Sequence, residues 1–270
     1  MNVAGWPVVA LSGLFGLLLG SFANVAIHRW PRKGSVLRPA TSRCPACGTD
    51  IKPYDNIPVV SWLALRGRCR NCGEPISWRY PVVELLVGVI WALLAAVHGL
   101  TWALPAFLVI GWALVVATVI DLEHRIIPNK LTYRLTPVIL ALLVAAAALS
   151  GQWSDLRRAV LVGLALPGGM FLLSEIFRTL RGQAGMGMGD VKLAFSLGLV
   201  LGWLGGWQVA IGLYATVIAA VVVAAILMAA GRARLASRIP FGPYLAIGTL
   251  VAMLAGDPLA AVLRTWLGLA

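Results

Sequence analysis

Charge is scarce in this 270-residue chain: Asp, Glu, Lys and Arg together make up 12% of it, against 60% hydrophobic residues. With a mean hydropathy of +0.89, that composition excludes an ordinary soluble globular domain. Histidine is nearly missing as well. His28, His98 and His124 stand at no ligand spacing and read as bland. Residues 1–6 carry no Lys or Arg. The apolar run that follows exceeds a usual signal h-region, so the first segment reads as a retained anchor rather than a cleaved signal. There is no glycine-rich Rossmann fingerprint. There is also no internal repeat, which argues against a two-repeat, proton-coupled transporter.

What is present is an all-α polytopic membrane protein. Eight apolar runs read as spans, at about 7–27, 82–98, 103–120, 135–150, 158–177, 191–204, 207–229 and 242–256. A perpendicular span needs ~20 residues, so the fourth, sixth and eighth are short. The tail 258–269 either extends the last span or lies at the interface. The expected organisation is a first transmembrane helix at 1–27, a polar segment at 28–81 and a membrane core at 82–270.

The net charge of +12 invites a nucleic-acid reading, but its distribution argues for none. Nineteen of the 22 Lys and Arg fall in 28–81, 121–134, 178–192 and 230–241. Only Arg157, Arg158 and Arg264 fall on the other side. This positive-inside pattern places both termini outside and 28–81 in the cytoplasm. A basic cytoplasmic face also suits anionic membrane lipid.

The polar segment contains all four cysteines, as Cys44-Pro-Ala-Cys47 and Cys69-Arg-Asn-Cys72, with Gly48 and Gly73 following. Each unit reads as a knuckle that turns two thiolates toward one metal. Together they make a zinc-ribbon-like insertion with a closed, structural Zn2+ site. Disulfides, a redox pair or unmetallated thiols are the competing readings, and a reducing cytoplasm disfavours stable disulfides. A segment this short with few aliphatics has little core, and a metal staple explains how it holds its shape.

Only ten acids occur. Glu84, Asp121, Glu123, Glu175 and Asp190 all fall at the expected cytoplasmic ends of spans. Asp121 is the first acid after a long apolar run. Asp190 closes Gly185-Met186-Gly187-Met188-Gly189-Asp190 at the start of the sixth span. A carboxylate beside a membrane-length apolar run is costly, and Gly187 and Gly189 leave the backbone open to close approach. Two carboxylates at similar depth share one proton, as acid–base hydrolysis requires. Taken singly, each aspartate is equally well read as an interfacial acid or a helix cap. Glu84, following Pro81, reads as an acid in a first helical turn or as a site residue.

At this point the chain resembles the type IV prepilin peptidases, the bifunctional leader peptidase/N-methyltransferase family of bacteria. The resemblance runs in order through Gly20-Ser21-Phe22-Ala23-Asn24-Val25 with His28-Arg29, both cysteine pairs, Arg79-Tyr80-Pro81 with Glu84, and Asp121 with Pro128-Asn129. It continues through Gly187-Met188-Gly189-Asp190-Val191-Lys192 and Pro240-Phe241-Gly242-Pro243-Tyr244-Leu245-Ala246. It implies a membrane-embedded G-x-G-D aspartyl protease with Asp121 and Asp190 as its catalytic pair. It also implies cleavage of the basic leader of type IV prepilins and pseudopilins at the cytoplasmic face of the bacterial inner membrane. N-methylation of the new terminus with S-adenosylmethionine is implied as a second activity of the cysteine-bearing segment. For that activity Gly67, Arg68 and Glu84 are the candidates. The family has Lys where this chain has Arg68, and Arg keeps the charge without the shape. A peptidase lacking the second activity is therefore the alternative. A transporter or a non-enzymatic assembly scaffold is the more distant one.

Overall fold

The structure, a computed structural model, describes residues 5–32, 34, 36, 43–182, 186–231 and 240–269. Among them there is no strand, only two isolated β-bridges. The helices are α1 (Trp6–Arg29), α2 (Val60–Ala64), α3 (Arg79–His98), α4 (Leu104–His124), α5 (Asn129–Ser150), α6 (Trp153–Arg181), α7 (Met188–Leu204), α8 (Gly206–Ala229) and α9 (Gly242–Trp266). Seven of them are long and apolar enough to cross a membrane. The remaining expected span, the sixth, is α7, which has 17 residues, about 26 Å of helix. The tail after residue 257 does not lie apart: α9 runs through Pro258 without a break.

The chain divides into two compact units, Met1–Leu100 and Thr101–Ala270. In the first, α1 packs along α3. Helices in lipid gain little from apolar burial and associate through close backbone contact instead. Gly16 and Gly20, one turn apart on α1, supply that contact. A Cβ on Gly20 would stand 2.6 Å from the Glu84 Cα, and one on Gly16 would stand 2.9 Å from the Gly88 Cα. The second unit is built around α7, which touches α4, α5, α6, α8 and α9. Its short length follows from this place, because protein rather than lipid covers most of it. Leu193, Leu197 and Leu199 are fully buried. Gly198 and Gly202 let α7 lie against Gly163 and Ala159 of α6, where added Cβ atoms would stand 2.8 Å from those Cα atoms.

Candidate active site and cysteine cluster

Asp121 sits in the last turn of α4, where only 5% of the residue is exposed. The helix stops just after it. Arg125 takes a left-handed conformation and its N–H returns to the Asp121 carbonyl at 2.8 Å. The Asp121 carboxylate accepts a hydrogen bond from the Gly242 N–H at 2.9 Å. That amide is the first of α9, so it is one of the donors a helix start leaves unused. A Cβ on Gly242 would stand 2.8 Å from Asp121 Oδ2, so glycine is the residue that leaves room for the carboxylate.

Asp190 lies in the first turn of α7 and is 8% exposed. The cap position belongs to Gly187, in an extended conformation, and no side chain caps the helix. Asp190 is therefore not the N-cap that the sequence alone allowed. Its Oδ1 is buried without a hydrogen-bond partner among the described residues. The two aspartates are close enough for their charges to interact, and α4 packs directly on α7.

The glycine run has a local explanation. A Cβ on Gly189 would stand 2.9 Å from the Ile127 Cβ and 3.2 Å from its carbonyl oxygen. The loop that follows Asp121 is thus pressed onto the turn that presents Asp190. A Cβ on Gly187 would stand 2.8 Å from Asp190 Oδ2. Gly185 lies outside the described residues. Further along, Lys192 Nζ donates to Asn129 Oδ1 at 2.9 Å and lies 4.9 Å from the centre of the Tyr133 ring. Thr136 and Ser196 hydroxyls meet at 2.9 Å. These contacts fix α5 to α7 behind the pair. Asn129 is the first residue of α5. Glu175 pairs with Arg178 on its own helix, and Glu123 lies 3.9 Å from His124. Both fit solvated helix ends.

In the first unit the two cysteine pairs fold into equivalent knuckles. The Cys44 N–H bonds the Thr49 carbonyl and the Gly48 N–H bonds the Cys44 carbonyl; Cys69, Glu74 and Gly73 repeat the pattern. Gly48 and Gly73 both have φ +71°, which glycine adopts freely. The four sulfurs lie within 4.8 Å of one another, and Cys44 Sγ is 3.8 Å from Cys72 Sγ. Four sulfurs at ~2.3 Å from one tetrahedral ion stand about 3.8 Å apart, so these residues fit a metal. All four thiols are free. Thr49 hydrogen bonds draw the Cys47 thiol down to about 6. Cys72 is pushed up to about 12 by desolvation and the other three sulfurs, against the Glu74 N–H. Four thiols crowded this closely are a donor set for a cation.

Gly67 and Arg68 lie beside this cluster. Gly67 has φ +67°, and a Cβ there would meet the Trp62 ring at 2.9 Å. Arg68 is exposed and forms a β-bridge with Pro75. Glu84 is in the second turn of α3, not the first, because the helix begins at Arg79. It is 7% exposed. Its Oε2 accepts the Val59 N–H at 2.7 Å.

The Bacterial Peptidase A24 N-terminal domain matches residues 14–98, and the Type IV leader peptidase family matches residues 107–230. The chain belongs to the type IV leader peptidase family. It is 36% identical to the prepilin leader peptidase/N-methyltransferase of Stutzerimonas stutzeri, over 92% of this chain and 91% of that one. It is likewise 36% identical to that of Pseudomonas aeruginosa, over 94% and 91%. The Neisseria gonorrhoeae protein of the same name is 32% identical, over 96% and 94%. No solved structure matches the chain.

Two contacts in this leader peptidase family member escape sequence reasoning. The first is the Gly242 N–H on Asp121. Its motif is visible as Pro240-Phe241-Gly242-Pro243, but a glycine between prolines does not say which acid its amide serves. The second is Val59, whose φ of +61° is rare for a β-branched residue. No residue type in Pro58-Val59-Val60 signals that turn.

Proposed function

We propose that the protein is a membrane aspartic endopeptidase that removes the basic leader of type IV prepilins and pseudopilins. In this reading it then N-methylates the new terminus with S-adenosylmethionine. The observation that carries the reading is the burial of Asp121 and Asp190 within electrostatic reach of each other, in a chain of the type IV leader peptidase family. Of the two carboxyls, one is ionised and takes a proton from water as the water oxygen bonds the scissile carbonyl carbon. The protonated one gives its proton to the carbonyl oxygen. Collapse of the gem-diol breaks the C–N bond, and a proton from the pair goes to the leaving amine. Gly242 orients Asp121. Gly187 and Gly189 form the turn by which a substrate backbone approaches Asp190.

The positive-inside distribution supports an inner-membrane protein with both termini outside and the aspartates facing the cytoplasm. Cys44, Cys47, Cys69 and Cys72 hold one structural Zn2+, which keeps residues 43–76 folded. S-adenosylmethionine, as cosubstrate, supplies an electrophilic methyl group. Gly67, Arg68 and Glu84 are the residues assigned to alignment of the new amine for that transfer.

The test is incubation of the purified protein with a prepilin and S-adenosylmethionine, followed by mass measurement. The expected product lacks the leader and carries one added methyl group. Cleavage should follow a bell-shaped pH dependence, because the aspartates titrate as a coupled pair. An intact substrate after prolonged incubation overturns the peptidase reading. A cleaved but unmethylated product overturns the methyl-transfer reading alone.

A further inference from the structure

Residues 57–65 are nine consecutive uncharged residues inside an otherwise charged segment. Asp55 precedes them and pairs with Arg70 at 2.6 Å, which leaves Lys52 on one side and Arg66 and Arg68 on the other as the flanking cations. Within them the side chains sort by face. Ser61 is buried, and Trp62 donates its Nε1–H to the Ile76 carbonyl at 3.0 Å, toward the second knuckle. Ile57, Val60 and Leu63, spaced three apart, are 49%, 59% and 62% exposed. A row of bare aliphatics beside a metal-fitted knuckle is not what an aqueous loop selects.

Their depth is set by Glu84. That residue is five positions into the membrane helix α3, about 7.5 Å along its axis. Its carboxylate holds the Val59 N–H at 2.7 Å. The Val59 turn is therefore held at the second turn of α3, the stretch that carries Val82, Leu85 and Leu86, which are themselves 37%, 45% and 45% exposed. Trp78, 70% exposed at the cap of α3, stands where an interfacial anchor belongs.

The backbone of the segment is committed in the way a low-water setting demands. The Ile57 N–H bonds Ser61 Oγ at 3.0 Å, and that hydroxyl donates to the Tyr54 carbonyl at 2.8 Å. The Val60 N–H bonds the Pro58 carbonyl at 2.6 Å across a γ-turn centred on Val59. This turn is strained, with φ +61° and ψ −48°. It turns the Val59 N–H away from every helical acceptor, and the Glu84 carboxylate takes it.

We propose that residues 57–66 form an interfacial element that inserts Ile57, Val60 and Leu63 into the headgroup–acyl boundary of the bilayer the protein spans, with Glu84 as its positioning residue. Lys52, Arg66 and Arg68 select anionic phospholipid.

The test uses the full-length protein in bilayer discs of phosphatidylethanolamine and phosphatidylglycerol. A photoreactive benzoylphenylalanine replaces Val60 or Leu63 in turn, or Glu74, exposed in the second knuckle, as the control. Both test sites are exposed, so the folded protein tolerates the probe, and retained prepilin cleavage checks this. Lipid adducts at 60 and 63 should exceed the control by roughly tenfold. Adding Glu84→Ala should remove most of that excess. Lipid yield at both sites no higher than at Glu74 overturns the proposal. So does capture of prepilin, or of another part of this chain, in place of lipid. An excess unchanged by Glu84→Ala overturns the role given to Glu84.

Discussion

Glu84 in the first unit and the Asp121–Asp190 pair in the second are all buried acids on membrane helices, and all are backed by glycine. They differ in what their oxygens do. Glu84 is held by a backbone amide within its own unit. Asp190 keeps a buried oxygen with no partner among the described residues, beside a second carboxylate. An acid whose lone pairs are used holds structure together. One left short of partners carries an unmet cost that a water or a substrate can meet.

The largest way to break the contrast is to neutralise the acids one at a time. Asp121→Asn or Asp190→Asn should lower prepilin cleavage by about a thousandfold, measured by mass on a protein that still inserts. Glu84→Gln, nearly the same size, should leave cleavage within about threefold. A Glu84→Gln enzyme as inactive as the aspartate variants would erase the distinction.

Crowding the turn that joins the pair is the next test. Gly189→Ala places a methyl 2.9 Å from the Ile127 Cβ. The loop after Asp121 must then give way, and cleavage should fall by roughly a hundredfold, as expected for a small displacement of reacting groups. Wild-type activity in this variant would show that the loop and α7 need not touch.

Metal removal acts on the first unit only. A strong chelator should strip one metal per chain and expose residues 43–76 to protease, since four thiols without an ion no longer staple two knuckles. Methylation should fall further than cleavage. Equal loss of both would couple the cysteine cluster to the aspartates. The smallest effect belongs to Glu84→Gln on stability. One charge-assisted hydrogen bond is weakened, at a cost of about 1–2 kcal/mol, read as a lower midpoint for loss of protease protection in the Val59 segment.

The helices were the most legible part. A span is a property of one stretch of chain, and all eight expected spans coincide with helices. The structure moves their ends outward, because polar residues such as Asn129, Lys130 and Arg134 continue α5 below its apolar run. The acids and cysteines were legible as chemistry because each type is so scarce in this chain. What could not be read is who faces whom. Sequence cannot separate the cap from the third helical position at Asp190, and the helix begins three residues earlier than its apolar run. Glu84 lies one turn deeper than its distance from Pro81 suggests for a related reason: Arg79 and Tyr80 are already helical. The Val59 turn depends on a carboxylate 25 residues away, and local propensity carries no trace of it.

The hydrogen bond from Gly242 to Asp121 joins residues 121 positions apart. A ribosome working at ~5–20 residues per second makes the amide roughly ten seconds after the carboxylate. Asp121 and then Asp190 therefore emerge well before the helix that orients the first of them. The contact that fixes the Asp121 carboxylate can form only once α9 has joined the bundle.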